Sequence, residues 1–356
     1  MQMGTKSRSR LSKEELARYS RQIVLKDIGL EGQKKLKHSC VSIAGLGGLG
    51  CFSAIQLCTM GVGHLRIIDQ DVVDLTNLHR QILYETADVG YPKVEVAQKR
   101  LKALNPNVEI EATTLVINEE TATSVVEDAD LVVDGLDHFA PRYALNRACV
   151  ELKIPYIFGG AIESYGNVST IIPEKTACLE CFVGRQSDEG MPTCETVGIL
   201  TPVLAMITSI QVREALNLLL GQTPLLANRV LFVDMGSMSF ESYDIARRKN
   251  CPTCGTRANG SSLPLANSKV VELCGKDSFM VSPRHPLSLN LADAEDVLGK
   301  KYRIKLRSGF SVVFEYSGDV SVSLMKTGNS LINGAKSKED AARIYDDLMR
   351  ILSRRS

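Results

Sequence analysis

The chain of 356 residues has almost no net charge, with 42 Lys and Arg against 41 Asp and Glu. No field of one sign draws it to nucleic acid or to an anionic membrane, so neither is expected as a partner. Long apolar runs are also missing. The best, Gly198 to Ile210, is interrupted by Thr201, Pro202 and Thr208. It falls short of the ~18 residues that a membrane span needs. The N-terminus, MQMGTKSRSRLSKEE, lacks the apolar centre of a secretory signal. These absences point to a cytoplasmic protein. Cysteine is not scarce, at 10. In a reducing compartment these residues are expected as metal ligands, a reactive thiol and small core side chains rather than disulfides.

Hydrophobic residues make up 44% of the chain, enough for at least one full core, and the length suggests two or three domains. Residues 1–11 have the composition of a disordered tail. Ser12 and Glu15 form a capping box, which predicts a helix from Lys13 to about Leu25. Apolar, β-rich runs follow at 40–45, 64–69, 108–114, 131–136 and 155–158, with helical stretches between them at 48–60, 92–104, 118–128 and 141–152. This alternation predicts a doubly wound, mainly parallel α/β sheet of the Rossmann kind. Residues 160–173 read as a hairpin turning at Tyr165-Gly166-Asn167, and Thr201-Pro202 as the start of a helix that stops at Gly221. Val230 to Tyr243 reads as two more strands. The Gly/Ser/Asn-rich segment 256–268 has no periodicity and is expected to be a linker. Residues 269–356 then carry strands near 269–273, 278–282, 301–307, 310–316, 319–325 and 330–333, with helices at 291–298 and 337–352. They are expected to form a small α+β domain.

The stretch VSIAGLGGLG places Gly45, Gly47 and Gly50 in the spacing G-x-G-x-x-G between a strand and a helix. Helix N-terminal amides suit a phosphate there. Asp69 closes the next strand nineteen residues after Gly50, where a carboxylate can hold ribose hydroxyls. Alone, these features fit NAD. The loop that follows does not: Asn77, Arg80 and Gln81, with Lys93 shortly after, suit a more highly charged polyphosphate. Asp137, at the end of the fourth strand run, could hold Mg²⁺ on such phosphates.

Five ordered motifs resemble the ThiF/MoeB/HesA proteins, the adenylating enzymes of sulphur-carrier proteins, whose module recurs in ubiquitin-activating enzymes. They are R-Y-S-R-Q at 18–22, G-L-G-G-L-G at 45–50, D-x-D-x-V-x-x-x-N-L-x-R-Q at 69–81, G-x-x-K at 90–93 and D-x-F-x-x-R at 137–142. The resemblance covers roughly residues 12–255. It implies ATP rather than NAD, with Gly45, Gly47, Gly48 and Gly50 lining the nucleotide. Asp69 and Asp71 would lie on the ribose side, Asn77, Arg80, Gln81 and Lys93 would bind phosphates, and Asp137 would bind Mg²⁺. It also implies a homodimer in which Arg21 reaches the ATP site of the other subunit.

Cys178-x-x-Cys181 and Cys251-x-x-Cys254 offer four thiolates, the closed tetrahedral set that structural zinc prefers. The resembled family carries the same pairs as structural metal. Cys40, Cys51, Cys58, Cys149 and Cys274 lie in or against apolar segments. Cys194 lies instead in a polar loop, Met191-Pro-Thr-Cys-Glu-Thr-Val-Gly198, before the long helix. The neighbouring Glu195 opposes thiolate formation, so the sequence itself shows no activation. The resemblance makes Cys194 the acceptor of an acyl group from the adenylate.

The expected function is therefore adenylation of the C-terminal glycine of a small ubiquitin-like protein ending in Gly-Gly, then transfer to Cys194. The order of zinc pair, linker and small tail domain favours protein conjugation, with the tail recruiting a conjugating enzyme. The alternative is activation of a sulphur carrier. Cys274 does not sit in the Cys-headed loop of an appended sulphurtransferase domain. A nicotinamide-dependent oxidoreductase leaves Arg80 and Lys93 unexplained, and a non-catalytic scaffold leaves the ATP motifs and Cys194 without a use.

Overall fold

The computed structural model describes residues 10–191, 193–194, 196–256, 270–272, 278–283 and 286–353. Ser12 opens the first helix as its capping box requires, accepting from the Glu15 amide while Glu15 reaches back to the Ser12 amide. The single helix expected to Leu25 is broken, however. α1 (Lys13–Arg18) stops at Tyr19, and α2 (Ser20–Ile23) resumes after it. Tyr19 turns into the core there, and Asn105 Nδ2 donates to its hydroxyl at 2.7 Å. A further helix, α3 (Gly29–His38), escapes the sequence pattern because two glycines and several basic residues hide its apolar stripe.

The alternation then follows as expected: β1 (Cys40–Ala44), α4 (Gly48–Thr59), β2 (His64–Asp69), α5 (Lys93–Leu104), β3 (Glu109–Thr114), α6 (Ala122–Val126), β4 (Leu131–Asp134), α7 (Phe139–Leu152) and β5 (Tyr156–Ile162). The helix expected over 118–128 shrinks to α6. Asn118 Oδ1 accepts from the Glu120 and Thr121 amides and holds the first residues in a turn. β6 (Tyr165–Ile171) pairs antiparallel with β5. The turn lies at Glu163-Ser164, and Tyr165, Gly166 and Asn167 are strand residues, which corrects the expected turn. Gly166 is required for packing, since a Cβ there would meet Gly160 O and Ile207 Cγ1 at 2.6 Å.

After α8 (Leu179–Phe182) comes α9 (Thr201–Leu220), with Pro202 in its first turn and Gly221 at φ 77° ending it. By length and a mean hydropathy of 1.4, α9 could cross a membrane, contrary to the sequence expectation. In the fold it packs against α4, β5 and β6 as a core helix. β7 (Arg229–Asp234) and β8 (Ser239–Asp244) complete an eight-stranded sheet ordered β3-β2-β1-β4-β5-β6-β7-β8. One face is covered by α3, α4, α5 and α9 around Ile43, Ile67 and Val133. The other is covered by α6 and α7 around Val132, Tyr156 and Leu145.

A second, antiparallel sheet contains β9 (Val270–Glu272), β10 (Ser278–Val281), β11 (Arg303–Arg307), β12 (Ser311–Ser317), β13 (Val320–Met325) and β14 (Ser330–Asn333), ordered β11-β12-β13-β14-β10-β9. The helices α10 (Leu291–Leu298) and α11 (Lys338–Ser353) pack on one of its faces around Phe314 and Val322. The expected linker beyond Thr256, Glu195 and Cys274 lie outside the described residues.

Candidate functional site

Strand register places the candidate residues on one edge. Ala44 pairs with Ile68 and with Asp134, and Asp69 pairs with Thr114. The loops after β1, β2, β3 and β4 therefore leave the sheet side by side, at the carboxyl ends of its parallel strands. Gly45 has φ +89°, and a Cβ on it would lie 2.7 Å from Gly135 O. A Cβ on Gly50 would lie 1.9 Å from Gly45 O, so those two glycines are demanded by backbone packing. Gly47 is different. A Cβ there would meet nothing closer than 3.9 Å, so its missing side chain leaves open space at the N-terminus of α4. A phosphate fits that space and the helix end that faces it.

Asp69 is buried, and both carboxylate oxygens are engaged. Leu46 N donates to one at 2.6 Å and Asp71 N to the other at 2.7 Å. Asp69 thus pins the glycine loop to the end of β2. Burial raises its pKa to about 6, against the pull of Lys93. Lys93 opens α5 with a side chain only 5% exposed and donates to Asp71 Oδ2 at 2.9 Å. Burial opposes its charge, but Asp71 and Asp69 outweigh it and hold the ammonium protonated well above the ordinary lysine range. Two buried acceptors, Asp71 Oδ1 beside it and Gln81 Oε1 on the side chain that faces Gly47, have no partner within the described residues. Asn77 and Arg80 lie on the same loop, held by a short turn that Asp74 caps, and Arg80 Nη1 donates to Thr76 O at 2.9 Å.

Asp137 leaves β4 with 79% of its side chain exposed. Burial of the surrounding recess opposes its charge. His138, at 2.8 Å, together with Lys93 and Arg142, outweighs that and lowers its pKa to about 2. Donating to Asp137 in turn raises His138 to about 9, against burial, so the pair carries both charges at neutral pH. An exposed, fully ionised carboxylate at this edge fits a divalent cation. The sequence motif included Arg142 without assigning it a role. It is buried, bridges Asp134 at 3.0 Å and donates to Leu136 O and Gly159 O, while Tyr156 donates to Asp134 at 2.6 Å. This network holds the loop that presents Asp137.

The loop carrying Cys194 is fastened across the same edge. Asp188 accepts from the Phe139 and Ala140 amides at 2.7 and 3.0 Å, capping α7 beside Asp137. Gln186 N donates to Tyr143 Oη at 2.8 Å. At the far end Leu200 N donates to Glu163 O at 2.7 Å. No sequence signal marks Asp188 for this role, because its partners are 49 and 48 residues away. Cys194 is half-buried, with Sγ 3.9 Å from Ala161 O. Burial and the Asp137 charge push its thiol up, and Arg80 only partly offsets them, so it rests as a thiol.

The four zinc candidates meet beside α7. Cys178, Cys181, Cys251 and Cys254 are buried, and their sulphurs all lie within 4.8 Å of one another. The Cys178–Cys251 and Cys181–Cys254 separations are 3.5 and 3.4 Å. A tetrahedron of Zn–S bonds of about 2.3 Å has sulphur–sulphur edges of about 3.8 Å, so the set fits zinc. Arg21 is not brought to this edge of its own chain. Its neighbour Gln22 donates to Met60 O, at the foot of α4, on the opposite edge of the sheet.

Glycine loop, strand-end acid, buried lysine and exposed carboxylate on one edge of a parallel sheet define a Rossmann-like nucleotide-binding protein. The chain belongs to the ThiF family, whose model matches residues 19–253. It is 40% identical over 252 residues to the sulfur carrier protein adenylyltransferase of Thermus thermophilus, covering 69% of this chain and 93% of that one. It is 32% identical over 336 residues to the sulfur carrier protein ThiS adenylyltransferase of Bacillus subtilis, covering 92% of this chain and 98% of that protein. It spans only 57% of the adenylyltransferase and sulfurtransferase MOCS3 of Culex quinquefasciatus, at 38% identity over 69% of this chain. Among solved structures, Escherichia coli MccB with ATP is similar at 27% identity and TM-score 0.59, over 67% of this chain and 74% of that one.

Proposed function

We propose that the protein uses ATP to adenylate the C-terminal carboxylate of a small sulphur-carrier protein. The observation that carries this reading is the open space at Gly47, on the same edge of the sheet as Lys93, Arg80 and Asp137. The names of the Thermus and Bacillus relatives support a sulphur carrier as substrate. The match to the Bacillus protein runs through most of the second domain, which weakens the expectation that this domain recruits a conjugating enzyme. Conjugation therefore becomes the second reading.

In the first step a carboxylate oxygen of the carrier attacks the α-phosphorus, and the bond to the β-phosphate oxygen breaks, releasing pyrophosphate. The protein orients the groups and stabilises charge, with no covalent protein chemistry. Lys93, Arg80 and Asn77 would face the triphosphate, and Mg²⁺ held by Asp137 would spread its charge. The Asp134–Arg142–Tyr156 network keeps Asp137 in place. Arg21 would complete the site from a second copy of the chain, since its own copy places it on the far edge. Tyr165, Phe232 and Tyr243 share one face of β6, β7 and β8 and are each at least 43% exposed, an apolar seat suited to the carrier's body.

In the second step Cys194 Sγ, after losing its proton, attacks the activated carbonyl, and AMP leaves. Cys194→Ala should keep carrier-dependent pyrophosphate exchange within about twofold of the wild type, because the first step uses no thiol. It should form no carrier complex that reducing thiols can cleave. Mass spectrometry of both proteins with ATP and a carrier tests this. A variant that still charges would mean that the adenylate passes directly to a partner.

A further inference from the structure

The second domain is seated on the segments that carry the nucleotide edge. Met280, Met325 and Leu331 lie on the sheet face away from α10 and α11 and pack with Val72 and Val116 of the first domain. Met280 and Met325 are fully buried there, and Leu331 is 4% exposed. Phe310, on the turn between β11 and β12, packs against the apolar cluster that includes Val94 and Ala97 of α5. Gly309 N donates to Glu95 Oε1 at 3.4 Å. The fit is close. A cavity between the domains, lined by Val116, Asn118 and Thr121 on one side and by Ser282, Pro286 and Asn329 on the other, measures about 10 Å³, room for about one water.

These contacts bracket one ion pair. Val72 directly follows Asp71, and Glu95 lies just beyond Lys93 in the first turn of α5. Main-chain bonds tie the two segments together. Lys93 N donates to Asp71 O at 2.9 Å, Val73 N donates to Tyr91 O at 2.8 Å, and Val72 bridges Pro92. Lys93 Nζ then donates to Asp71 Oδ2 at 2.9 Å. Val116 extends the hold to the next strand end, since it follows Leu115, whose amide donates to Asp69 O at 3.3 Å. The second domain therefore holds the segment behind Asp71 and the first turn of α5 together.

A cation that stabilises phosphate charge works best when its place is fixed before the ligand arrives. A displacement of about 1 Å is enough to cost much of the effect. Lysine carries its charge on a flexible four-carbon stem, so the Lys93 ammonium is fixed only as well as Asp71 and the start of α5 are. We infer that the second domain is a positioning element of the nucleotide site: Met280, Met325 and Leu331, seated on Val72 and Val116, hold the Asp71–Lys93 pair where it meets the phosphates of ATP. This rests on the ATP reading above. It gives the second domain a role in that site which needs no conjugating enzyme.

The test is calorimetric binding of ATP and of inorganic tripolyphosphate to the full chain. Met325→Lys puts a charge into the seat and leaves the helix-side core around Phe314 and Val322 untouched. It should weaken both ligands about tenfold, within the scale that packing changes remote from a ligand supply. Met325→Leu keeps the apolar contact and should stay within about twofold of the wild type. Loss of folded protein alone would lower the number of binding sites per chain and leave the affinity of the remaining sites unchanged, so the two effects separate. Val116→Ala thins the same contact from the first domain and should weaken both ligands about threefold, whether or not Met325→Lys folds. Wild-type affinity in the folded fraction of these variants would overturn the inference. Weaker ATP binding with tripolyphosphate affinity unchanged would also overturn it, because the effect would then lie away from Lys93. If ATP binding shifts as described but no carrier stimulates exchange, the carrier reading fails and the positioning role stands. If the wild type binds no ATP, both fall.

Discussion

Asp137→Ala should fold with unchanged thermal stability and lose at least about a hundredfold in carrier-dependent pyrophosphate exchange. The two halves of this expectation have separate grounds. Stability should survive because 79% of the Asp137 side chain faces solvent, and among the described residues its side-chain hydrogen bond is to the adjacent His138. Exposed pairs of that kind contribute about 0–1 kcal/mol. Exchange should collapse because the carboxylate is ionised across the working pH range and, in the proposed reading, holds the triphosphate's cation. Lys93→Ala is a poorer probe of the same chemistry. Lys93 is buried against Asp71 and Asp69, so removing it leaves uncompensated carboxylates and mixes folding with catalysis. Thermal melts and exchange rates on Asp137→Ala separate the two. Exchange persisting near the wild-type rate would remove Asp137 from the metal site.

Cys178→Ser should produce the largest loss of stability. The four cysteines tie the segment after β6 to the segment after β8, and all are buried in the core beside α7. A closed thiolate site adds metal-binding free energy to folding. Losing one ligand should remove about 3 kcal/mol or more, a fall in melting temperature of about 6–12 °C for a domain of this size. Metal analysis should give one zinc per wild-type chain, with a reduced content in the variant. Metal-free wild-type protein that melts at the same temperature as the zinc form would contradict this.

The parallel core was legible because its strands are apolar runs and its helices carry clear starts and stops. β4, for example, is Leu-Val-Val-Asp with every residue buried. The candidate site was legible for the same reason. Its residues sit at strand ends, and parallel register brings strand ends together without any long-range information. Three features were hidden. Tyr19 breaks the first helix because of a partner, Asn105, far along the chain. Gly166 resembles a turn residue locally but is demanded by the neighbouring strand and α9. Asp188 caps a helix that begins 49 residues earlier. Each depends on a contact between distant segments, which neither periodicity nor turn chemistry encodes. The seating of the second domain on Val72 and Val116 is of the same kind, because Met280, Met325 and Leu331 read only as alternate strand residues. The choice of carrier rested on the order of segments alone. The names of the Thermus and Bacillus relatives favour sulphur carriage over conjugation.

The most direct test of the central claim is ATP–pyrophosphate exchange by the full chain, with and without a sulphur-carrier protein ending in Gly-Gly. The account predicts exchange that requires the carrier and disappears when its last two residues are removed. Exchange unaffected by that truncation, or absent with every such carrier while nicotinamide dinucleotides bind tightly, would contradict it.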